Sequence, residues 1–265
     1  MIEAVSNSNA VIIRSDIIDK EVMQGAEDLK IVVRAGAGYD NVDLSAASEK
    51  GIVVMNTPGQ NSNAVAELAL GMMVYMARKK FNGTAGSELS GKTIGIHAYG
   101  YIGKLVAKIA SGFGMKTYAF DPFISEEVIK KDGVIPVKSS EELYKTCQYI
   151  SLHIPANNET KGSINKSLLS LMPKGATLIN TARKEVIDEN SLIQIFEERD
   201  DFRYASDIAP ACHDELLGKY ADRYFSTPKK MGAQTSEANI NAGIAAANQI
   251  INFLDKGDKT FQVNK

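Results

Sequence analysis

Short runs of β-branched and other apolar residues recur along the chain, and each is followed by a longer stretch with helical spacing. The runs lie at residues 10–14, 31–35, 52–56, 93–98, 116–121, 149–154, 176–182, 203–209 and 223–227. Most are continuously apolar rather than alternating, which predicts strands covered on both faces, as in a parallel sheet. Strand and helix alternating from end to end predicts an α/β fold. The segment "NAVAELALGMMVYMARKK" (residues 63–80) is apolar on most of its faces, so it should be buried or pressed between two bodies. A Gly/Ser-rich loop (residues 82–92) and a turn (residues 228–234) punctuate the pattern, and a last helix is expected over residues 235–255. This predicts two domains. One is discontinuous and smaller (residues 1–81 and 234–265, with a crossover helix at 63–80). The other is a doubly wound, Rossmann-like domain (residues 82–233).

Composition narrows the classes. Among 265 residues, 44% are hydrophobic and 23% charged, which is ordinary globular usage. A net charge of −2 implies no basic face for nucleic acid. The two cysteines, Cys147 and Cys212, neither build a disulfide framework nor match zinc spacing. No apolar run reaches transmembrane length, and the N-terminus lacks the blocks of a signal peptide. The expectation is a soluble, cytoplasmic protein without a metal, nucleic-acid or membrane partner.

"TIGIHAYGYIGKLVAKIA" reads as strand, tight turn and helix, with the backbone of Gly100, Tyr101, Ile102 and Gly103 turned toward a pyrophosphate at a helix N-terminus. Ala98 stands where the dinucleotide fingerprint has its first glycine, which weakens the match. Asp121 ends the next strand, where a carboxylate accepts from the adenosine ribose hydroxyls and repels a 2′-phosphate, so NAD is favoured over NADP. The plainer alternative is two packing glycines and a capping aspartate.

Arg14 and Arg34 each follow a strand run, and "RAGAGYDN" then offers small residues whose N–H groups can hold an anion. Arg183 in "NTARKEVID" repeats the pattern in the second domain. Planar guanidinium forks suit carboxylate or phosphate. Surface salt bridges are the alternative for each. Together they suggest a small anionic substrate clamped between the domains.

"RAGAGYDNVD", "VVMNTPGQNSNAVAELALGMM", "GYIG" with Asp121, "SLHIP", "LINTAR", "SDIAP" and the "TP…MGAQTSEA" segment resemble the D-2-hydroxyacid dehydrogenases, and among them the D-3-phosphoglycerate dehydrogenases most. The resemblance runs from about residue 9 to about 255, with the motifs in order. It implies a flavodoxin-like substrate domain beside the cofactor domain, and hydride transfer between NAD(H) and C2 of a phosphorylated D-2-hydroxy acid, the opening step of serine synthesis. It also implies homodimers packed through the crossover helix. Carried onto this chain, Arg183 would bind the substrate carboxylate and polarise the C2 oxygen. Asp207 would hold the nicotinamide amide, with His153, Pro155 and Thr181 lining the cofactor cleft. Gly36, Gly38 and the Asn61 side chain would meet the substrate carboxylate, and Arg14 and Arg34 the remote phosphate.

The chain departs from the family at its acid/base. The usual His, held by a Glu, is replaced by Lys229-Lys230, of which Lys230 takes the His position best, and the Glu position is Cys212. The double change is coherent. A carboxylate would raise the pKa of a lysine that already titrates near 10.4; removing it, burying the ammonium and placing Arg183 nearby would lower it toward general acid/base use. Lys230 is thus the expected proton carrier, with Lys229 and His213 as rivals and Cys212 as packing. Relatives also carry a strand and helix before the segment that opens this chain, so truncation, or a partner over the exposed edge, is expected. The short loop at 82–92 suggests that substrate-binding arms are missing, and no C-terminal regulatory domain is expected. Two other functions remain open: a hydroxypyruvate or glyoxylate reductase, and a dinucleotide-sensing binding protein without catalysis.

Overall fold

A computed structural model describes residues 2–264. The chain divides into two compact units, residues 1–62 with 233–265, and residues 63–232. The smaller holds three parallel strands, β1 (Ala10–Ile13), β2 (Ile31–Arg34) and β3 (Val53–Asn56), in the order β1-β2-β3. One sheet face packs Val32 and Val54 against Ile18, Met23, Leu29 and Ala47. The other packs Ile31, Val33, Val53 and Met55 against Ala242 and Ala246 of the C-terminal helix (Ser236–Lys256). Both faces are covered, which is why these strands read as unbroken apolar runs. That helix starts at Thr235, whose hydroxyl accepts from the Ala238 N–H, and stops at Gly257 in the left-handed region (φ 68°). Beyond it, Gln262 bridges antiparallel to Met55, so the tail continues the sheet past β3.

The larger unit has seven parallel strands: β4 (Thr93–His97), β5 (Lys116–Phe120), β6 (Ile135–Pro136), β7 (Tyr149–Leu152), β8 (Thr177–Asn180), β9 (Arg203–Ser206) and β10 (Tyr224–Ser226). Their order is β10-β9-β8-β7-β4-β5-β6. The chain builds outward from β4 in one direction and then in the other, so the topological switch lies between β4 and β7. The expected doubly wound fold is therefore present. Its one strand without a sequence signal is β6, two residues with a proline at the sheet edge.

The crossover helix runs Ser62–Ala77 and buries Ala66, Ala69, Leu70, Met73 and Met76 against Ile94, Ile96, Ile179 and Ala205. Its core is therefore that of the larger unit, whereas the sequence placed it with the smaller. It also ends three residues earlier than expected. Lys79, Lys80 and Phe81 have φ of 48°, 56° and 57°, three side-chain-bearing residues in the left-handed region. Lys80 holds the turn by donating from Nζ to the carbonyls of Ala221 and Tyr224. Among the described residues, no helix is long and apolar enough to cross a membrane.

Candidate functional site

In the larger unit, the site begins at the carboxyl end of β4. Ala98 adopts φ +78°, the left-handed conformation that a glycine would supply without strain. The position therefore keeps glycine's geometry although it lost glycine's sequence. Gly100 precedes the first turn of the helix Tyr101–Gly112 and has no side chain to cap it. A Cβ on Gly100 would meet nothing within 4 Å, so space is open at the helix N-terminus beside Tyr101 and Ile102. Gly103 is different in kind. A Cβ there would lie 2.3 Å from the Ala98 carbonyl and 2.9 Å from Ile96, so glycine is needed for helix and strand to pack. The two glycines do what the fingerprint requires: one leaves room for a phosphate, the other closes the turn.

Asp121 stands one residue past β5. Its Oδ2 accepts from the Tyr99 N–H at 2.7 Å and its Oδ1 from the Phe123 N–H at 2.8 Å. It thus fixes the glycine turn, and a carboxylate has about four lone-pair positions, so two remain for ribose hydroxyls. Beyond β7, both ring nitrogens of His153 are shut off from solvent with no hydrogen-bond partner among the described residues. Thr181, just past β8, is buried, and its hydroxyl is likewise unpartnered there. Orphaned polar atoms at adjacent strand ends fit a polar ligand that the protein alone does not replace. Burial holds His153 at a pKa of about 3 and His97, at the end of β4, at about 4, so both rings are neutral. Pro155 is exposed two residues beyond His153. A dinucleotide therefore fits these residues.

Arg183 follows β8 and is half-buried, with Nη1 donating to the Ala182 carbonyl at 3.0 Å. Asp207 follows β9 and is 1% exposed. Its Oδ1 accepts from Thr227 Oγ1 at 3.0 Å and from the Met231 N–H at 2.7 Å, and its Oδ2 from the Gly232 N–H at 2.8 Å. The carboxylate expected to hold the nicotinamide amide clasps both ends of the 227–232 loop and keeps one acceptor position. That loop carries Lys229 and Lys230. Both lysines are exposed.

Of the two rivals of Lys230, Lys229 is its exposed neighbour on the same loop, and His213 is held elsewhere. His213 Nδ1 lies 2.8 Å from the Tyr224 hydroxyl. Cys212 is pushed up to a pKa of about 12 by burial and by Glu189, so its thiol stays protonated. No motif singles out Glu189. It accepts from the Ala211 N–H at 2.8 Å and the Cys212 N–H at 2.9 Å, fixing the segment between β9 and the following helix. Its only sequence signal is an acid in the first turn of a helix, which reads equally as a dipole partner.

In the smaller unit, Arg14 Nη2 donates to the Ala233 carbonyl at 2.9 Å, joining the end of β1 to the segment entering the C-terminal helix. Arg34 ends β2 and lies over Gly36, where a Cβ would come within 1.6 Å of Nη1. Gly36 itself has φ +149°, so its backbone conformation favours glycine, whereas the Arg34 side chain can move aside. Gly38 and Asn61 are half-buried in loops after β2 and β3.

A sequence model of the D-isomer specific 2-hydroxyacid dehydrogenase NAD-binding domain matches residues 64–218. The D-3-phosphoglycerate dehydrogenase of Methanocaldococcus jannaschii is 37% identical over 271 residues, covering 96% of this chain and 51% of that protein. The enzyme of the same name from Rattus norvegicus is 36% identical over 282 residues, covering 100% and 52%. The chain thus spans about half the length of the curated relatives it matches. The crystal structure of NAD+-bound 3-phosphoglycerate dehydrogenase from Entamoeba histolytica superposes with a TM-score of 0.91 at 50% identity, covering 100% of this chain and 85% of that one. Apo D-lactate dehydrogenase from Escherichia coli superposes at 0.83 with 27% identity, covering 99% and 88%.

Proposed function

Because the chain belongs to the D-isomer specific 2-hydroxyacid dehydrogenase family and carries its NAD-binding domain, we propose that it interconverts 3-phosphoglycerate and 3-phosphohydroxypyruvate, with Lys230 moving the proton. NAD, when bound, accepts or returns the hydride of C2. The backbone of Gly100, Tyr101 and Ile102 faces the pyrophosphate, Asp121 takes the ribose hydroxyls, and His153, Pro155 and Thr181 border the nicotinamide side. The remaining acceptor of Asp207 serves the nicotinamide amide. Arg183 binds the substrate carboxylate and stabilises charge on the C2 oxygen. Lys230, as the free amine, removes the proton of the C2 hydroxyl in oxidation, and as the ammonium returns it in reduction. Gly36, Gly38 and Asn61 take the carboxylate, and the Arg14 and Arg34 guanidinium groups the phosphate. A homodimer through the crossover helix and a cytosolic setting complete the proposal.

The observation that supports Lys230 is the Asp207 clasp. It fixes the lysine-bearing loop to the strand end after β9, in the same unit as Arg183 and the glycine turn. The test follows NADH oxidation by phosphohydroxypyruvate against pH for the parent and for Lys230→Met. Turnover in the parent with a loss of about 10²-fold or more in kcat in the variant is expected. Equal turnover in both would show that Lys230 does not move the proton.

A second reading, reduction of glyoxylate or hydroxypyruvate, is favoured by one feature: Arg14 is already engaged with the Ala233 carbonyl. It is separated by substrate preference. Phosphohydroxypyruvate and unphosphorylated hydroxypyruvate would then be used equally well, and Arg34→Ala would leave KM unchanged.

A further inference from the structure

Arg183 stands on a bend that one buried side chain ties down. Asn180, the last residue of β8, is 3% exposed. Its Oδ1 accepts from the Ala182 N–H at 3.0 Å, and its Nδ2 donates to the Arg183 carbonyl at 3.0 Å. The same Nδ2 donates to the Tyr204 hydroxyl on β9 at 3.3 Å. The amide therefore has its oxygen and both its N–H groups engaged, and an N–H on one side with a carbonyl on the other fixes which way round it lies. Ala182 closes the arrangement, because its carbonyl accepts from Arg183 Nη1 at 3.0 Å. Asn180 thus holds the Arg183 backbone directly, and the guanidinium through the residue that braces it.

The anchor is itself fixed. Tyr204 is fully buried and stacks on Tyr224, with ring centroids 6.0 Å apart. The backbone carbonyl of Asn180 accepts from the Asp207 N–H at 2.9 Å. Asn180 therefore joins the Arg183 bend to the residue whose carboxylate holds the 227–232 loop. The chemistry of the position is narrow. Aspartate has nearly the same shape but, when ionised, no donor, so it would set a carboxylate oxygen against the Arg183 carbonyl. Alanine would leave the Ala182 N–H and the Arg183 carbonyl without these partners.

We propose that Asn180 is a positioning residue that sets the Arg183 guanidinium for the substrate carboxylate. This rests on the carboxylate-binding role given to Arg183 above. The probe is oxalate, which offers a carboxylate and accepts no hydride, so binding is read apart from turnover. Its affinity for the NADH complex is measured with NADH affinity, and with kcat and KM for phosphohydroxypyruvate. The proteins compared are the parent, Asn180→Asp, Arg183→Lys and the double variant, with Asn180→Ala in place of Asn180→Asp should the buried charge prevent folding. Asn180→Asp should weaken oxalate and lower kcat/KM by about tenfold or more, since a misplacement of about 1 Å can cost 10²-fold, with NADH affinity unchanged. The double variant should be no worse than Arg183→Lys, because a residue acting through Arg183 has nothing left to position. Losses that multiply in the double variant, or NADH affinity falling with turnover and thermal midpoint, would make Asn180 a brace for the whole unit and overturn the proposal. Oxalate lost in Arg183→Lys but kept in the Asn180 variants would overturn it while leaving Arg183 its role. Arg183→Lys equal to the parent in oxalate affinity and turnover would remove that role, and this inference with it.

Discussion

Asp207 and Met231 are joined by a 2.7 Å hydrogen bond across 24 residues of chain, from a backbone N–H to a buried carboxylate oxygen. With Thr227 and Gly232 on the same carboxylate, a loop that would otherwise be free becomes a fixed platform for Lys230.

Asp207→Ala leaves two backbone donors without their acceptor, at roughly 1–3 kcal/mol for each group that stays buried. The thermal midpoint should fall by several degrees, and kcat should fall more than the affinity for NADH. Calorimetry with NADH titration separates the effects. Asp207→Asn, which keeps one acceptor oxygen, should lie between parent and alanine. Gly232→Ala should resemble Asp207→Ala, because its Cβ would lie 2.8 Å from Oδ2.

Ala98→Gly should stabilise the protein. An alanine in the left-handed region costs about 1–2 kcal/mol, and the added freedom of glycine in the unfolded chain takes back about 0.4–1 kcal/mol. A net gain of about 0.5–1 kcal/mol in urea unfolding is expected, with NADH affinity retained. Gly103→Ala should do the opposite, losing NADH binding as helix and strand are forced apart.

His97 and His153 set an acid limit. Burial keeps both neutral in the folded state, to pKa values of about 4 and about 3, against 6.5 in the unfolded chain. Below pH 6.5 the unfolded chain gains protons that the folded one refuses, so stability falls as pH falls, until about 4 and about 3 respectively. Above pH 6.5 these groups contribute no slope. Denaturant unfolding between pH 4 and pH 7 should show the loss, and His97→Phe should flatten its share of it.

If positions 212 and 230 act as the pair that the sequence suggests, Cys212→Glu should lower turnover at neutral pH and move the profile to higher pH, since a carboxylate beside a lysine holds its proton more firmly. Adding Lys230→His should restore turnover near pH 7. If the double variant is no better than Cys212→Glu, the two positions do not act as a pair.

Arg34→Ala should raise KM for phosphohydroxypyruvate at least tenfold and spare unphosphorylated hydroxypyruvate. Arg14→Ala should do the same and also loosen the start of the C-terminal helix, because the Ala233 carbonyl loses its donor. Comparing the two variants by KM and by thermal midpoint separates phosphate binding from that structural contact.

The sequence by itself determined the strands and their covering. Runs such as residues 149–154 are continuously apolar because both sheet faces are packed, so the expected boundaries fall within two or three residues of those found. The glycine turn with Asp121 was legible for the same local reason: turn, helix start and strand end are neighbours in the chain. Tertiary structure decided what depends on distant partners or on unusual backbone. Nothing in "RKKF" announces three left-handed residues, which exist because Lys80 reaches the carbonyls of Ala221 and Tyr224. Nothing near Ala98 shows that it keeps glycine's φ, since that is set by the turn between β4 and the helix packed on it. The pairing of Asp207 with Met231 and of His213 with Tyr224, and the hold of Glu189 on Cys212, join elements that meet only when parallel strands align. Periodicity records which side of an element is buried; the partner that buries it is chosen by the packing of the whole unit.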